Sequence, residues 1–173
     1  MHSQDSPQPG HPALAALARG ALLASGAALV AMAAVEAWQV FARYVLNDSP
    51  GWTEPVALFL LNTAMSLGAG AGVRLKSHFG FYMLAHALPP AVGRALDVFA
   101  ILVVAALGAV IAAWGAELLA DGWSIAMAGT RLPQSAPYLP MTVGGALMLV
   151  FALERLALAL RPAVFKPAAT EAK

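Results

Sequence analysis

Four long apolar stretches, separated by short polar punctuation, fill most of this 173-residue chain. A helix needs roughly 20 consecutive apolar residues to cross a bilayer, so the pattern predicts an integral membrane protein before any motif is considered. With 60% of residues hydrophobic and 11% charged, too little polar surface is left for a soluble domain of this length. The absence of cysteine excludes a disulfide framework, a thiolate metal site, an Fe–S cluster and a cysteine nucleophile. A net charge of +1 provides no electrostatic footprint for a nucleic acid. No polar segment is long enough to build its own core, which excludes an appended soluble catalytic domain.

Residues 1–12 combine His, Ser, Gln and Asp with several prolines and read as a disordered tail. The first apolar stretch runs from about Leu14 to Phe41, broken only by Arg19 and Glu36. Asn47, Asp48, Pro50 and Gly51 form a turn-rich cluster that reverses the chain. The second span is roughly Val56 to Val73 and the third Ala95 to Leu118. Gly129, Pro133, Pro137 and Pro140 prevent Gly122 to Pro140 from forming one helix. The fourth span is then about Met141 to Leu160, so residues 13–161 read as a four-helix transmembrane domain and 162–173 as a second disordered tail. Ala31-Met32-Ala33 resembles a signal-peptide cleavage site, but Asp5 and prolines stand where a basic leader region belongs, so the first stretch reads as a retained span.

Lys and Arg are held preferentially on the cytoplasmic side of a membrane. With the N-terminus inside, Arg19, Arg74, Lys76, Arg94, Arg155, Arg161, Lys166 and Lys173 are all cytoplasmic, leaving only Arg43 and Arg131 outside. That distribution predicts both termini, and both tails, in the cytoplasm. Trp52, Trp123 and Tyr138 then fall near the outer interface, where amphipathic rings are favoured.

Glu36, Gln39 and Arg43 share a face at the outer end of the first helix, across a short loop from Glu54. Pairing of Arg43 with Glu54, or through Gln39 with Glu36, would clamp the first hairpin; the alternative is contact with another protein. In the second span Asn62, Ser66 and Gly70 recur every four residues beside Thr63, with Ala64, Gly68 and Gly72 as a second small-residue row. Such rows let helices approach closely in lipid, within the chain or against another subunit. The connection after Arg74, Lys76 and His78 is aromatic and apolar through Leu88. It suits a short interfacial helix resting among lipid headgroups, or docking on a partner membrane protein.

His2, His11, His78 and His86 all lie outside the spans, which argues against a haem-holding anchor, and the spacing of His78 and His86 does not suit one metal ion. No G-x-S-x-G, phosphate loop, H-E-x-x-H or midplane carboxylate pair is present. No enzyme activity and no cofactor are expected.

Several residues together resemble a known family. Arg43-Tyr44, Trp52 with Glu54, Gly68-Ala69, Arg74-x-x-x-His78, Leu88-Pro89 and Tyr138-Leu139-Pro140 occur in the order and spacing of the small membrane (DctQ-type) subunit of tripartite ATP-independent periplasmic (TRAP) transporters. The resemblance covers about residues 20–160. It departs after His78, where Phe79-Gly80-Phe81-Tyr82 replaces the aliphatic-x-Val-Asp-like run common in the family.

The resemblance implies an inner-membrane complex with a large permease subunit and a soluble periplasmic binding protein that captures an organic acid. The large subunit moves that acid inward with a sodium gradient, and the small subunit acts as a scaffold with no substrate or ion site. On this reading the second-helix face and the segment around Arg74, Lys76 and His78 meet the large subunit, while Arg43, Glu54 and Arg131 border the docking surface for the binding protein. The chain shows none of the interrupted half-helices from which secondary transporters build a midplane site. Alternative readings are a membrane anchor for a redox enzyme and a small self-oligomerising transporter.

Overall fold

The computed structural model describes residues 11–75, 89–129 and 132–160. Four α-helices account for most of them: α1 (Pro12–Tyr44), α2 (Thr53–Leu75), α3 (Pro90–Asp121) and α4 (Tyr138–Leu160). Each is long and apolar enough to cross a membrane. At 1.5 Å per residue, the 23 residues of α2 reach about 35 Å and the 33 of α1 about 50 Å. The interfacial helix expected between the second and third spans, with Lys76 and His78, lies outside the described residues. So do Arg131 and the segments 1–10 and 161–173.

Proline marks the start of each of the four described helices. Pro12 and Pro90 occupy the first position, and Pro55 and Pro140 the third. The first backbone N–H groups of a helix have no intrahelical partner, so a residue lacking that donor costs little there. This is why α4 begins at Tyr138 and takes Pro140 into its first turn, three residues before the start expected from Pro140 as a breaker. At the far end of α1, Asn47 adopts a left-handed conformation (φ 57°) and the Asp48 N–H returns to the Ala42 carbonyl at 3.1 Å. Asparagine is one of the few side chains that accepts this geometry readily.

The helices stand in a row. α1 packs on α2, α2 on α4, and α4 on α3, which leaves α1 and α3 as the two edges. α2 and α4 run parallel, with Ser66 level with Gly144 and Arg74 level with Glu154. α3 runs antiparallel to α4, bringing Gly108 to Met148, Gly115 to Thr142, and Gly122 to Ser135. At the end where Arg74 lies, one hydrophobic cluster draws on all four helices through Ala18, Val73, Ile101, Ala105 and Phe151. Phe151 is its largest fully buried side chain.

At the opposite end, residues 122–129 and 132–137 pair as a small hairpin between α3 and α4. Met127 N–H donates to the Leu132 carbonyl at 2.9 Å and Gln134 N–H to that of Ile125 at 2.8 Å. Because α4 starts level with Asn62, this hairpin lies beside the first turns of α2, where backbone groups inside a membrane must find partners within the protein. Its tip touches the α1–α2 loop, where the Gly51 carbonyl lies against Gly129. Gly129 has φ +80°, a conformation strained for other residues, and an added Cβ would collide with Gly51.

Candidate functional site

The strongest polar constellation joins three helices at the Arg74 end. Arg74 Nε donates to Glu154 Oε2 at 2.8 Å and Arg74 Nη2 to Glu154 Oε1 at 3.2 Å, a two-pronged pairing that fixes orientation as well as distance. Both side chains are largely buried, at 6% and 9% exposure. The backbone N–H of His11, at the start of α1, donates to Glu154 Oε1 at 3.1 Å, and its carbonyl accepts from Arg74 Nη2 at 3.4 Å. Arg155 adds a bond from Nη1 to the Val73 carbonyl at 3.2 Å, near the end of α2, where helix carbonyls lack intrahelical donors. One carboxylate and two guanidinium groups therefore pin the start of α1 and the ends of α2 and α4 together.

Midway along the helices the contacts are between small residues. Gly144 meets Ser66 so closely that an added Cβ would lie 2.5 Å from the serine Cβ and backbone oxygen. Gly70 packs against Leu147 and Gly144, while Gly108 and Gly145 bring α3 onto α4. On the other side of α2, Gly68 faces Ser25 of α1, whose hydroxyl donates to the Ala64 carbonyl at 2.7 Å. Asn62 Nδ2 donates to the Pro137 carbonyl at 2.7 Å, and its Oδ1 accepts from the Ser66 hydroxyl at 3.1 Å. Close backbone approach combined with such bonds is the usual means of holding helices together in lipid, where burial of apolar surface gives no net drive.

The sequence-derived residues therefore separate into groups. Asn62, Ser66, Gly68 and Gly70 of the second-helix face come together against α1 and α4 of the same chain, and Gly72 is buried with them. Arg74, expected at the cytoplasmic interface, is drawn inward onto Glu154. Glu36, Gln39, Arg43 and Glu54 are not brought together: among the described residues no hydrogen bond or ion pair joins them, and Glu36, Arg43 and Glu54 are exposed. Around them Trp38, Phe41, Tyr44 and Trp52 are also exposed, with Trp38 and Phe41 in tilted ring contact at 5.9 Å.

Glu154, Ser25 and the α4 glycines Gly144 and Gly145 were not singled out from the sequence. The adjacent Gly144-Gly145 pair in an apolar stretch was the available signal for the seam. Glu154 carries no signal of its own in the sequence; its role shows only when the fold places Arg74 next to it. Among the described residues no group of three or more His, Asp or Glu side chains is placed to hold a metal ion.

Four apolar helices long enough to span, held side by side by glycine contacts and one buried ion pair, define a multi-pass membrane protein of the helical class. Residues 32–162 match the family described as tripartite ATP-independent periplasmic transporters, DctQ component. The chain belongs to that family, which supplies the small permease component of TRAP transporters and is a family of transporter components rather than enzymes. No curated protein matches the chain.

Proposed function

We propose that the chain is the membrane scaffold of a sodium-coupled TRAP transporter for organic acids in the bacterial inner membrane. It holds the large permease subunit and contributes to docking of the periplasmic binding protein. The observation that carries this reading is where the small-residue and polar contacts go: they lock α2 to α1 and α4 within the chain. A protein locked in this way suits a fixed support. Its two edges, α1 and α3, keep large exposed apolar side chains such as Leu23, Val30, Phe99 and Trp114. In the scaffold reading, the large subunit covers part of that surface and lipid the remainder.

With both termini inside, the exposed Arg43 and Glu54 and the hairpin residues 122–129 and 132–137 face the periplasm, and Arg131 contributes its charge on the same side. They offer both signs of charge beside exposed aromatic rings, a composition suited to a transient protein contact. Arg43, Gln39, Glu36 and Glu54 then act on the partner instead of clamping the hairpin. The residues around Lys76 and His78 supply the cytoplasmic contact to the large subunit.

Copurification tests the reading. A tagged chain coexpressed with a TRAP large subunit is expected to retain it after mild detergent extraction, and reconstituted uptake is expected to need both together with the binding protein and a sodium gradient. Loss of association on extraction, or uptake by vesicles holding this chain alone, would reject the scaffold role. A Soret absorbance band from the purified chain would instead support the redox-anchor alternative.

A further inference from the structure

A groove of about 580 Å³ opens on the face of the helix row at the Gly51 end, between α2 and α3 and beside the hairpin. Its floor is apolar, built from Leu58, Leu61 and Met65 of α2 and Leu118 of α3. Its polar end is formed by Asp121, the last residue of α3, and Gln134 of the hairpin. Asp121 is exposed and makes no hydrogen bond or ion pair with another described residue. Leu118 lies about one turn deeper than Asp121, and Met65 about two turns deeper than Leu58, so the groove grades from a carboxylate near the end of the spans to hydrocarbon below.

We propose that this groove is a binding site for one phospholipid bearing a primary-ammonium headgroup, of the phosphatidylethanolamine type. The order of chemistry along the groove matches that of the lipid: an ammonium to pair with Asp121, and an acyl chain to lie along Leu118, Leu61 and Met65. The volume falls within the range of small-ligand pockets, about 300–1,000 Å³, and suits a headgroup with part of one acyl chain. An anionic headgroup in the same place would meet the Asp121 carboxylate and be repelled. The lipid would fill the side of the row left open by the late start of α4, and it would wedge the hairpin against α2.

The full chain, purified in mild detergent and stripped of endogenous lipid, is titrated separately with phosphatidylethanolamine and phosphatidylglycerol of identical acyl chains. Retention is read by native mass spectrometry. The expected result is about fivefold preference for phosphatidylethanolamine, as for an exposed ion pair at the upper end of its usual strength. Asp121→Asn should erase the preference and Asp121→Glu keep it, while Met65→Trp should lower retention of both lipids at unchanged helix content. Equal retention of the two lipids by the native chain, or an undiminished preference in Asp121→Asn, would overturn the assignment. In the complex with the large subunit, a photo-crosslinker at position 65 should capture lipid. Capture of the large subunit there would overturn the proposal and mark the groove as a protein interface, leaving the scaffold reading intact.

Discussion

At Glu154 three donors converge from two distant parts of the chain: Arg74 Nε, Arg74 Nη2 and the His11 N–H. Removing one member of a buried pair strands the other charge, which costs about 3–5 kcal/mol, whereas replacing both by apolar groups of similar volume is often neutral. Glu154→Leu alone is therefore expected to destabilise by about 3–5 kcal/mol, and Arg74→Met with Glu154→Leu by much less. Equilibrium unfolding in mixed micelles measures both, and a fully stable Glu154→Leu protein would remove the pair from the account of how the row is held. Glycines offer a matched comparison at the same scale. A Cβ at Gly144 would press on Ser66, whereas nothing lies within 4 Å of one at Gly26. Gly144→Ala is expected to cost about 1–3 kcal/mol through overpacking. Gly26→Ala, in the interior of α1, is expected to stabilise by about 0.5–1 kcal/mol. Equal effects in the same unfolding assay would mean that the seam is looser than its contacts imply.

Helix α4 shows what an element owes to its neighbours. It starts level with Asn62, whose amide reaches the Pro137 carbonyl just before the first turn. Asn62→Leu leaves that carbonyl without its donor and is expected to cost about 1–3 kcal/mol. Hydrogen exchange should locate the loss, with faster exchange in the hairpin and first turns of α4 and little change near Phe151; uniform loss of protection would contradict a local role. The spans themselves were legible in the sequence because runs such as Val98 to Ala116 carry no charge over a length close to that needed to cross a bilayer. Their ends shifted because a first-turn proline is tolerated, as at Pro140 and Pro55. The second-helix face was also legible as a packing surface, since Asn62, Ser66 and Gly70 repeat at helical spacing. Its partners were not, because small residues are spread all round α1, so the buried row Ala18, Ala21, Ser25 and Ala28 does not stand out, and Gly144-Gly145 is an adjacent pair without helical spacing. The Arg74–Glu154 pair was hidden because its members are 80 residues apart and Arg74 reads locally as a charge at the end of a span.

The whole molecule is a row with α1 and α3 at its edges, and that order of helices has a direct chemical test because the chain contains no cysteine. The Cβ of Ser25 lies 3.8 Å from an ideal Cβ at Gly68, inside the range a disulfide needs. Ser25→Cys with Gly68→Cys should therefore crosslink rapidly under mild oxidation. Gly70→Cys with Leu147→Cys, where the corresponding separation is 3.1 Å, should crosslink after a small adjustment. Ser25→Cys with Gly108→Cys, on the two edge helices, should not form an internal bridge, because α2 and α4 stand between them. Gel mobility after oxidation distinguishes an internal bridge from a dimer. A rapid internal bridge between positions 25 and 108 would require a closed ring of helices, with α1 packed on α3. The difference bears on function, because a closed ring would bury part of the exposed apolar surface of α1 and α3, whereas the row leaves both edges free for a larger partner and for lipid.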